Sequence, residues 1–167
     1  DNKLSWHDIF NLPKNKKIIL YNGRITPIGR FVTEIVLAAQ NFDDDVCLVL
    51  SGPHNGNIEF IKILNSLDIK NKIFVYDKLV DDKTRNMLIN SADIGLAFYD
   101  NLHINNELTI LSSDKIATYF RSNLPIITFD YQNYKVFFDK YICGITINDF
   151  TQINDAINKI FSNYDEF

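Results

Sequence analysis

Six short apolar runs alternate with segments of helical periodicity along almost the whole chain, and this alternation leaves few possible folds. The runs cover residues 17–21, 46–50, 72–76, 93–98, 125–129 and 144–147. Each is apolar at nearly every position instead of every second one, which is typical of strands buried on both faces. Strands that take turns with helices form right-handed crossovers and hence a parallel sheet. The sequence predicts an α/β fold: a doubly wound, six-stranded parallel sheet with helices on both faces, of the Rossmann-like type.

The segments between the apolar runs carry helix signals. Helical spacing of apolar residues occurs over residues 31–40, 58–67, 114–121, 131–140 and 150–161. The expected buried face of the second of these helices consists of Ile58, Ile61, Leu64 and Leu67. A further helix is expected to begin at Asp81 or Asp82, since an aspartate is a good N-cap residue.

The length of 167 residues corresponds to one domain. Residues 1–15 fit the alternation least and are predicted to be a lead-in segment, and residues 16–167 a single Rossmann-like domain. The chain begins with Asp1 instead of Met, so we expect a processed chain or a piece of a longer one. Its first residues do not match a signal peptide, and no apolar run approaches the roughly 20 residues of a membrane span.

Charge and cysteine content narrow the function classes. With 17 basic and 21 acidic residues the net charge is -4, which argues against nucleic-acid binding. Cys47 and Cys143 each lie in an apolar, strand-like run, which indicates reduced thiols and a cytoplasmic location. No cysteine pair has metal-ligand spacing, so no metal is expected. His54 follows the second strand and is expected to be simply solvated, and the acidic triplet at 43–45 precedes a strand and is expected to be a solvated turn.

Loops that follow strands are the expected location of chemistry, because ligands of doubly wound sheets bind beyond the carboxyl ends of the strands. Residues 22–30 place two glycines, Gly23 and Gly29, and two arginines, Arg24 and Arg30, between a strand and a helix. Backbone amides at such a turn suit a phosphate, and arginine adds paired donors. The alternative is a tight turn with solvated arginines. The loop matches neither a dinucleotide fingerprint nor a P-loop.

Two further stretches follow the fourth strand. Ser113 or Asp114 is a good N-cap, and Lys115 in the first helical turn opposes the helix dipole, which indicates a nearby anion. The alternative is an ordinary cap with an exposed lysine. The polar loop at residues 99–112 is long for a compact domain and is either a functional lid or a mobile surface loop.

Taken together and in order, four segments resemble the C-terminal domain of a GT-B fold glycosyltransferase of the group that builds surface polysaccharides from nucleotide-diphosphate sugars. YNGRITP (21–27) resembles the first strand and glycine loop of that family, and LVLSGP (48–53) its second strand and turn. Residues 77–100 are similar to its fourth strand with the preceding helix. Residues 105–128 are similar to a subgroup whose donor helix begins with a Ser-x-x-Lys element.

The resemblance implies roles for particular residues. The residues implied to bind the nucleotide diphosphate are Gly23, Arg24, Arg30, Ser113 and Lys115, with either arginine in the basic role of the first loop. Ribose or base contacts are implied for Thr118 and Leu79, and Asn105, Asn106 and Glu107 would face the sugar. The catalytic residue is unknown.

Three positions depart from the pattern of the family. Thr118 replaces the glutamate that usually holds the ribose hydroxyls, Leu111 stands where many members have a second glutamate, and Asn123 replaces a glycine.

These departures leave two functions open. One is the donor-binding domain of a glycosyltransferase that needs no obligatory metal. This domain is expected to be inactive without its N-terminal acceptor domain. The other is a non-catalytic interaction module with a degenerate nucleotide site. A receiver-type signalling domain is excluded, since no paired acids follow the first strand. The resemblance also makes membrane association possible for the intact enzyme only.

Overall fold

The computed structural model describes residues 4–26, 30–67, 71–100, 110 and 112–167. Its six strands form a single parallel sheet in the order β3-β2-β1-β4-β5-β6. They are β1 (Lys17–Asn22), β2 (Val46–Ser51), β3 (Ile73–Tyr76), β4 (Ile94–Leu96), β5 (Ile126–Phe129) and β6 (Gly144–Ile147). The predicted doubly wound, six-stranded parallel sheet is therefore confirmed.

Helices connect the strands and cover the sheet. They are α1 (Trp6–Phe10), α2 (Val32–Ala39), α3 (Ile58–Ser66), α4 (Asp82–Ile89), α5 (Asp114–Arg121), α6 (Gln132–Tyr141) and α7 (Ile153–Ser162), with 3-10 turns at Phe150–Gln152 and Tyr164–Glu166. Asp81 caps α4 by accepting a hydrogen bond from the Thr84 amide, as the sequence predicts. Within the described residues no helix is long and apolar enough to cross a membrane.

The buried strands supply side chains to two separate cores, one on each face of the sheet. Ile19 and Tyr21 of β1 belong to the core that α2, α3 and α7 complete, whereas Ile18 and Leu20 belong to the core beneath α1, α4, α5 and α6. Successive side chains of a strand point to opposite faces, so a strand covered on both sides must be apolar throughout. This explains the continuous apolar runs.

Helix α3 forms where the sequence predicts it, but it buries only part of the predicted face, since Leu64 and Leu67 pack partly buried against the core. Ile58 is 67% exposed and Ile61 is 36% exposed, whereas Phe60 is completely buried. A spacing of three residues falls short of the 3.6 residues of a helical turn, so the predicted stripe winds around the helix. The helix turns Phe60 inward because the aromatic ring offers the larger apolar area.

Helix α1 packs against the edge of the sheet. Trp6 is 1% exposed and lies edge-on to Tyr76 at a centroid distance of 5.4 Å, and its amide donates to the Ser91 hydroxyl over 3.1 Å. Phe10 packs on Phe74 of β3 at 5.0 Å. The division of the chain at residue 15 stays a prediction, but the described part of the lead-in segment contributes to the core.

Candidate functional site

The order of the strands creates a crevice at one place on the sheet. The chain runs outward from β1 through β2 to β3, and then β4 returns to the other side of β1. Connections therefore leave β1 and β4 in opposite directions, and such a switch point is where open α/β sheets bind ligands. Two adjoining cavities lie at this point, beyond the carboxyl ends of the strands.

The larger cavity, about 360 Å³, contains most of the basic groups and is called the cationic cavity here. It is lined by Tyr21, Asn22, Gly23, Arg24, Arg30, Arg85, Tyr99, Ser113, Asp114 and Lys115. All five residues that the resemblance implies for binding a diphosphate line this cavity. The structure brings together two loops that lie about 90 residues apart in the sequence.

The second cavity, about 190 Å³, is called the apolar cavity. Its lining is Trp6, Asn22, Gly23, Arg24, Ser51, Gly52, Pro53, Lys78, Leu79, Val80, Arg85, Leu88 and Ile89. Trp6, Leu88 and Ile89 are buried, so they form an apolar inner wall. Leu79, which the sequence implies near the base, stands at the outer rim and is 89% exposed.

A buried tyrosine holds the end of β1 in position. The Tyr119 hydroxyl of α5 accepts a hydrogen bond from the Asn22 amide at 2.9 Å and donates to the Leu20 carbonyl at 3.2 Å. The Tyr119 ring lies so close to Gly95 that a Cβ there would come within 2.5 Å of it. Tyr119 thereby connects α5 to β1 through hydrogen bonds and packs closely on β4. It holds the end of β1, where the Gly23 loop begins.

The Gly23 loop and the loop after β2 touch through their backbones. The Gly23 amide donates to the Ser51 carbonyl at 2.8 Å, and the Gly52 amide donates to the Tyr76 carbonyl at 3.1 Å. Gly52 has a φ of +140°, and a Cβ on it would lie 2.1 Å from the Gly23 carbonyl oxygen. Only glycine at position 52 permits this approach. The approach fixes the Gly23 loop, which lines both cavities.

Ser113 is the N-cap of α5, as one of the two sequence alternatives states. Its hydroxyl accepts from the Ile116 amide at 3.3 Å and shares a 2.6 Å hydrogen bond with the Tyr99 hydroxyl. The cap joins the start of α5 to the segment after β4. It directs the free amides of the first turn of α5 toward the cationic cavity.

Lys115 is not the exposed lysine of the alternative interpretation. Its ammonium lies 3.9 Å from the centroid of the Tyr21 ring and 5.6 Å from that of Tyr99. Burial, together with the positive charge of Arg30, lowers the pKa of Lys115 to about 7. Within the described part of the chain, no carboxylate lies within ion-pair distance of this ammonium.

The two arginines of the first loop are also without carboxylate partners among the described residues. The Arg30 guanidinium packs over the Tyr99 ring at 4.7 Å, and Arg24 lines both cavities. Both arginines are thus available at the site, and the choice between them stays open. Among the described residues, Arg24, Arg30 and Lys115 line one cavity with no carboxylate within ion-pair distance, and an anion would stabilise such a group of cations.

The structure does not bring every implied residue to the site. Thr118 lines neither cavity; it is buried, its hydroxyl donates to the Asp114 carbonyl at 2.7 Å and accepts from Arg121 at 3.1 Å. The hydroxyl is thus already engaged within its own helix, and the implied contact of Thr118 with a ribose stays a prediction. Asn105, Asn106 and Glu107 lie outside the described residues.

His54 is not simply solvated, contrary to the expectation from sequence. Its Nε2 lies 2.8 Å from the Asp77 carboxylate, and its own amide donates to the other Asp77 oxygen at 3.3 Å. The Gly56 amide donates to Nδ1 at 3.1 Å, which leaves Nε2 as the donor to Asp77. The pair connects the loops after β2 and β3, and neighbouring residues of both loops line the apolar cavity.

The sequence reasoning missed Arg85, which lines both cavities from α4. Arg85 follows a helix start and has no glycine or motif beside it, so no local signal marks it. Only the tertiary structure brings its guanidinium to the site, where it lies 3.9 Å from the Asp114 carboxylate at the start of α5.

The lowered pKa of Lys115 predicts that anion binding depends on pH. The groups that face this ammonium are Arg30, Tyr21 and Tyr99, and below about pH 7 it is mainly protonated. A bound diphosphate favours the charged form, so its affinity should be highest below pH 7 and fall as the pH rises toward about 9. Isothermal titration across this range tests it. An affinity that is unchanged between about pH 7.5 and 9 would contradict the prediction.

Comparison with solved structures identifies the fold. WaaG, a glycosyltransferase involved in lipopolysaccharide biosynthesis, superposes on this chain with a TM-score of 0.67 and 15% identity. The match covers 96% of this chain and 42% of WaaG. HepE from Anabaena in complex with UDP gives a TM-score of 0.67 at 13% identity, over 96% of this chain and 43% of HepE. A second HepE structure contains UDP-glucose. The fold is that of a Rossmann-like half of a GT-B glycosyltransferase, as the resemblance implies.

The present chain thus spans less than half of the length of the solved structures that it resembles. In sequence, no protein-family model matches it, and no curated protein matches significantly. Within the described residues, no three histidine, cysteine or acidic side chains come together in a way that could hold a metal ion.

Proposed function

We propose that this chain is the donor-binding domain of a glycosyltransferase that transfers a sugar from a nucleotide-diphosphate sugar to a saccharide or lipid-linked acceptor. The observation that carries the proposal is the convergence of Arg24, Arg30 and Lys115 on one cavity at the switch point of the sheet, without a carboxylate partner in the described residues. The structural neighbours include HepE with bound UDP and UDP-glucose, which agrees with this class of ligand.

The cationic cavity suits the diphosphate. When the bond between the sugar carbon and the phosphate oxygen breaks, the negative charge on that oxygen grows. Lys115 and the arginines would offset this charge as fixed cations, and the amides of Gly23 and of the first turn of α5 would add donors. This arrangement would stabilise the leaving group by itself, so we propose that no metal is obligatory.

The apolar cavity suits the nucleobase. Its inner wall of Trp6, Leu88 and Ile89 is apolar, and the loop at residues 78–80 lines its outer edge. A planar base would remove this wall from water while its polar edge meets the loop. Because the two cavities adjoin at Gly23, a single nucleoside diphosphate spans both.

The rest of the reaction requires parts that the described domain does not supply. In this proposal an N-terminal domain binds the acceptor, and the protein acts in the cytoplasm in polysaccharide synthesis. Peripheral contact with the membrane would belong to the intact enzyme. The 167-residue chain alone should bind the nucleotide weakly and not turn over. Detectable sugar transfer by this chain to an added acceptor would contradict the second expectation.

A thermal-shift panel with UDP, GDP, ADP, CDP and dTDP tests donor binding. A ligand at about 100 times its Kd should stabilise the protein by about 2.7 kcal/mol, which raises Tm by several degrees. We expect a shift with one base that is lost in Lys115→Ala. Inorganic pyrophosphate serves as the control for general anion binding. No shift with any nucleotide at millimolar concentration would contradict donor binding by this chain.

The second candidate function is a non-catalytic interaction module. The observation that favours it is Leu79, an apolar side chain that is 89% exposed at the rim of the apolar cavity. In a module of this kind Leu79 would contact a partner protein instead of bordering a base. Loss of the nucleotide shift in Leu79→Asp, with unchanged stability, would favour the donor site over the module.

A further inference from the structure

A separate cavity of about 270 Å³ lies beyond the carboxyl ends of β5 and β6 and is called the aromatic cleft here. Its lining is Phe31, Phe129, Asp130, Tyr131 and Asn148. It shares no lining residue with the cationic cavity or the apolar cavity. Pockets for drug-sized ligands measure roughly 300–1,000 Å³, so the cleft suits one small ring.

The apolar surface of the cleft comes from aromatic rings. Phe129 is buried, whereas Phe31 and Tyr131 are half-buried, with ring centroids 4.9 Å and 6.0 Å from that of Phe129. Phe31 has a φ of +56°, which is unusual for a bulky residue. Backbone strain of this kind is found most often at ligand sites. The cleft thus combines exposed aromatic area with a backbone conformation that costs stability.

Asp130 supplies the polar side of the cleft. Its amide donates to the Ile147 carbonyl at 2.9 Å, which fixes it at the ends of both strands. Its exposed carboxylate accepts one hydrogen bond from the Thr146 hydroxyl at 3.1 Å. A carboxylate can accept about four hydrogen bonds, so capacity for a ligand remains. Among the described residues, no lysine or arginine lines the cleft, so its chemistry suits hydroxyl groups and not phosphate.

We propose that the aromatic cleft binds a pyranose ring of a saccharide other than the donor sugar. A pyranose has an apolar face of C–H groups and a rim of hydroxyls. The C–H face would cover Phe31 and Tyr131 and remove their exposed rings from water. The hydroxyls would donate to the Asp130 carboxylate and to the side-chain oxygen of Asn148.

The position of the cleft indicates which saccharide it would bind. Phe31 follows Arg30 directly, and the Tyr131 hydroxyl donates to the Tyr99 carbonyl at 2.8 Å, so the cleft adjoins the cationic cavity. A donor sugar is bonded to the diphosphate and must stay beside the cationic groups. A ring in the cleft therefore belongs to a second saccharide. Its assignment as part of the acceptor rests on the proposed function, and it adds a contact from this domain to the acceptor.

Saturation-transfer NMR tests the cleft with simple saccharides. The probes are the methyl glycosides of glucose, galactose, mannose and N-acetylglucosamine, each titrated into the wild-type chain with and without UDP or GDP. The variants are Phe31→Leu, which keeps an apolar side chain without an aromatic face, and Asp130→Asn, which removes the charge. The matched controls are Tyr141→Leu and Asp139→Asn, an exposed tyrosine and an exposed aspartate of α6 outside the cleft.

We expect at least one glycoside to bind, and its binding to persist when the nucleotide is present. Asp130→Asn should weaken this binding about tenfold, the value of one charge-assisted hydrogen bond. Phe31→Leu should weaken it about three- to tenfold, and both control variants should bind like the wild type. Thermal melting shows whether each variant is folded. Asp130→Asn alters only an exposed side chain, so it decides the outcome if Phe31→Leu does not fold.

Two kinds of result would overturn the inference. One is the absence of binding by every glycoside, or equal binding by the wild type and Asp130→Asn. The other is displacement of the glycoside by UDP-glucose or GDP-mannose but not by UDP or GDP, which would show that the cleft holds the donor sugar. Nucleotide binding is measured in the same samples and decides the proposed function separately. Glycoside binding without nucleotide binding would contradict the donor site and leave the pyranose site in place.

Discussion

Replacing Lys115 with methionine should weaken the binding of a nucleoside diphosphate by about tenfold to a hundredfold near pH 6.5, which corresponds to one charge-assisted contact of roughly 1.5–3 kcal/mol. The ammonium lies over the Tyr21 ring without a carboxylate partner in the described residues, so its charge is available to an incoming anion. Methionine keeps the unbranched, apolar stem and removes only the charge. The measurement is the Kd by isothermal titration.

The matched control is Lys140→Met. The Lys140 ammonium also lies over a tyrosine ring, at 4.9 Å from the centroid of Tyr141, but on α6 and away from both cavities. Its substitution should leave the Kd unchanged. An equal effect of the two substitutions would show that Lys115 contributes only to the general field of the protein.

The same substitution should stabilise the fold near neutral pH. Lys115 has a pKa of about 7 in the folded protein against an ordinary value of 10.5. Between these values the unfolded chain binds more protons, so this lysine destabilises the fold most below about pH 7 and less as the pH rises. The advantage of Lys115→Met in the free energy of unfolding should therefore shrink from about pH 7 to about pH 10. Such a conflict between stability and charge is typical of functional sites.

Gly52→Ala should reduce the free energy of unfolding by about 3 kcal/mol or more. The backbone at this position has a φ of +140°, which a side chain rarely adopts, and the new Cβ would lie 2.1 Å from the Gly23 carbonyl oxygen. The obstacle is backbone, so no side-chain rotation relieves it, and the Gly23 loop must move away. The measurement is the urea midpoint together with its slope.

Gly56→Ala is the control for the backbone conformation alone. Gly56 has a φ of +66°, and a Cβ added there meets nothing within 4 Å. It should cost only about 1–2 kcal/mol, the ordinary penalty of a left-handed residue. Equal losses for Gly52→Ala and Gly56→Ala would show that the contact between the two loops is softer than the structure indicates.

The layout of strands and helices was predictable from the sequence, because burial on both faces leaves a direct trace in each strand. Residues 46–50 are apolar without interruption, and the structure covers β2 with a core on each side. Caps were predictable for a similar reason. Asp81 and Ser113 bond to amides three residues later in the chain, so the interaction is local.

The buried face of α3 was not predictable in this way. Ile58 and Phe60 are both apolar, and the choice between them depends on which side of the helix meets the sheet. Thr118 illustrates the same difficulty within the site. Its place in the chain matches the resemblance, yet the Asp114 carbonyl and Arg121 already satisfy its hydroxyl.

By itself, the sequence determined the fold class and the segments that form it, and it indicated that chemistry lies in the loops that follow the strands, because these follow from burial, periodicity and connectivity. The strand order, and with it the switch point, came from the tertiary structure. The tertiary structure alone decided the environment of the charged groups. Lys115 has an altered pKa because Tyr21, from a strand almost 100 positions earlier, covers it, and because Arg30 lies nearby. Arg85 and Asp114 meet for the same reason. Electrostatic interactions act through space and depend on which surfaces exclude water, so the pattern along the chain does not record them.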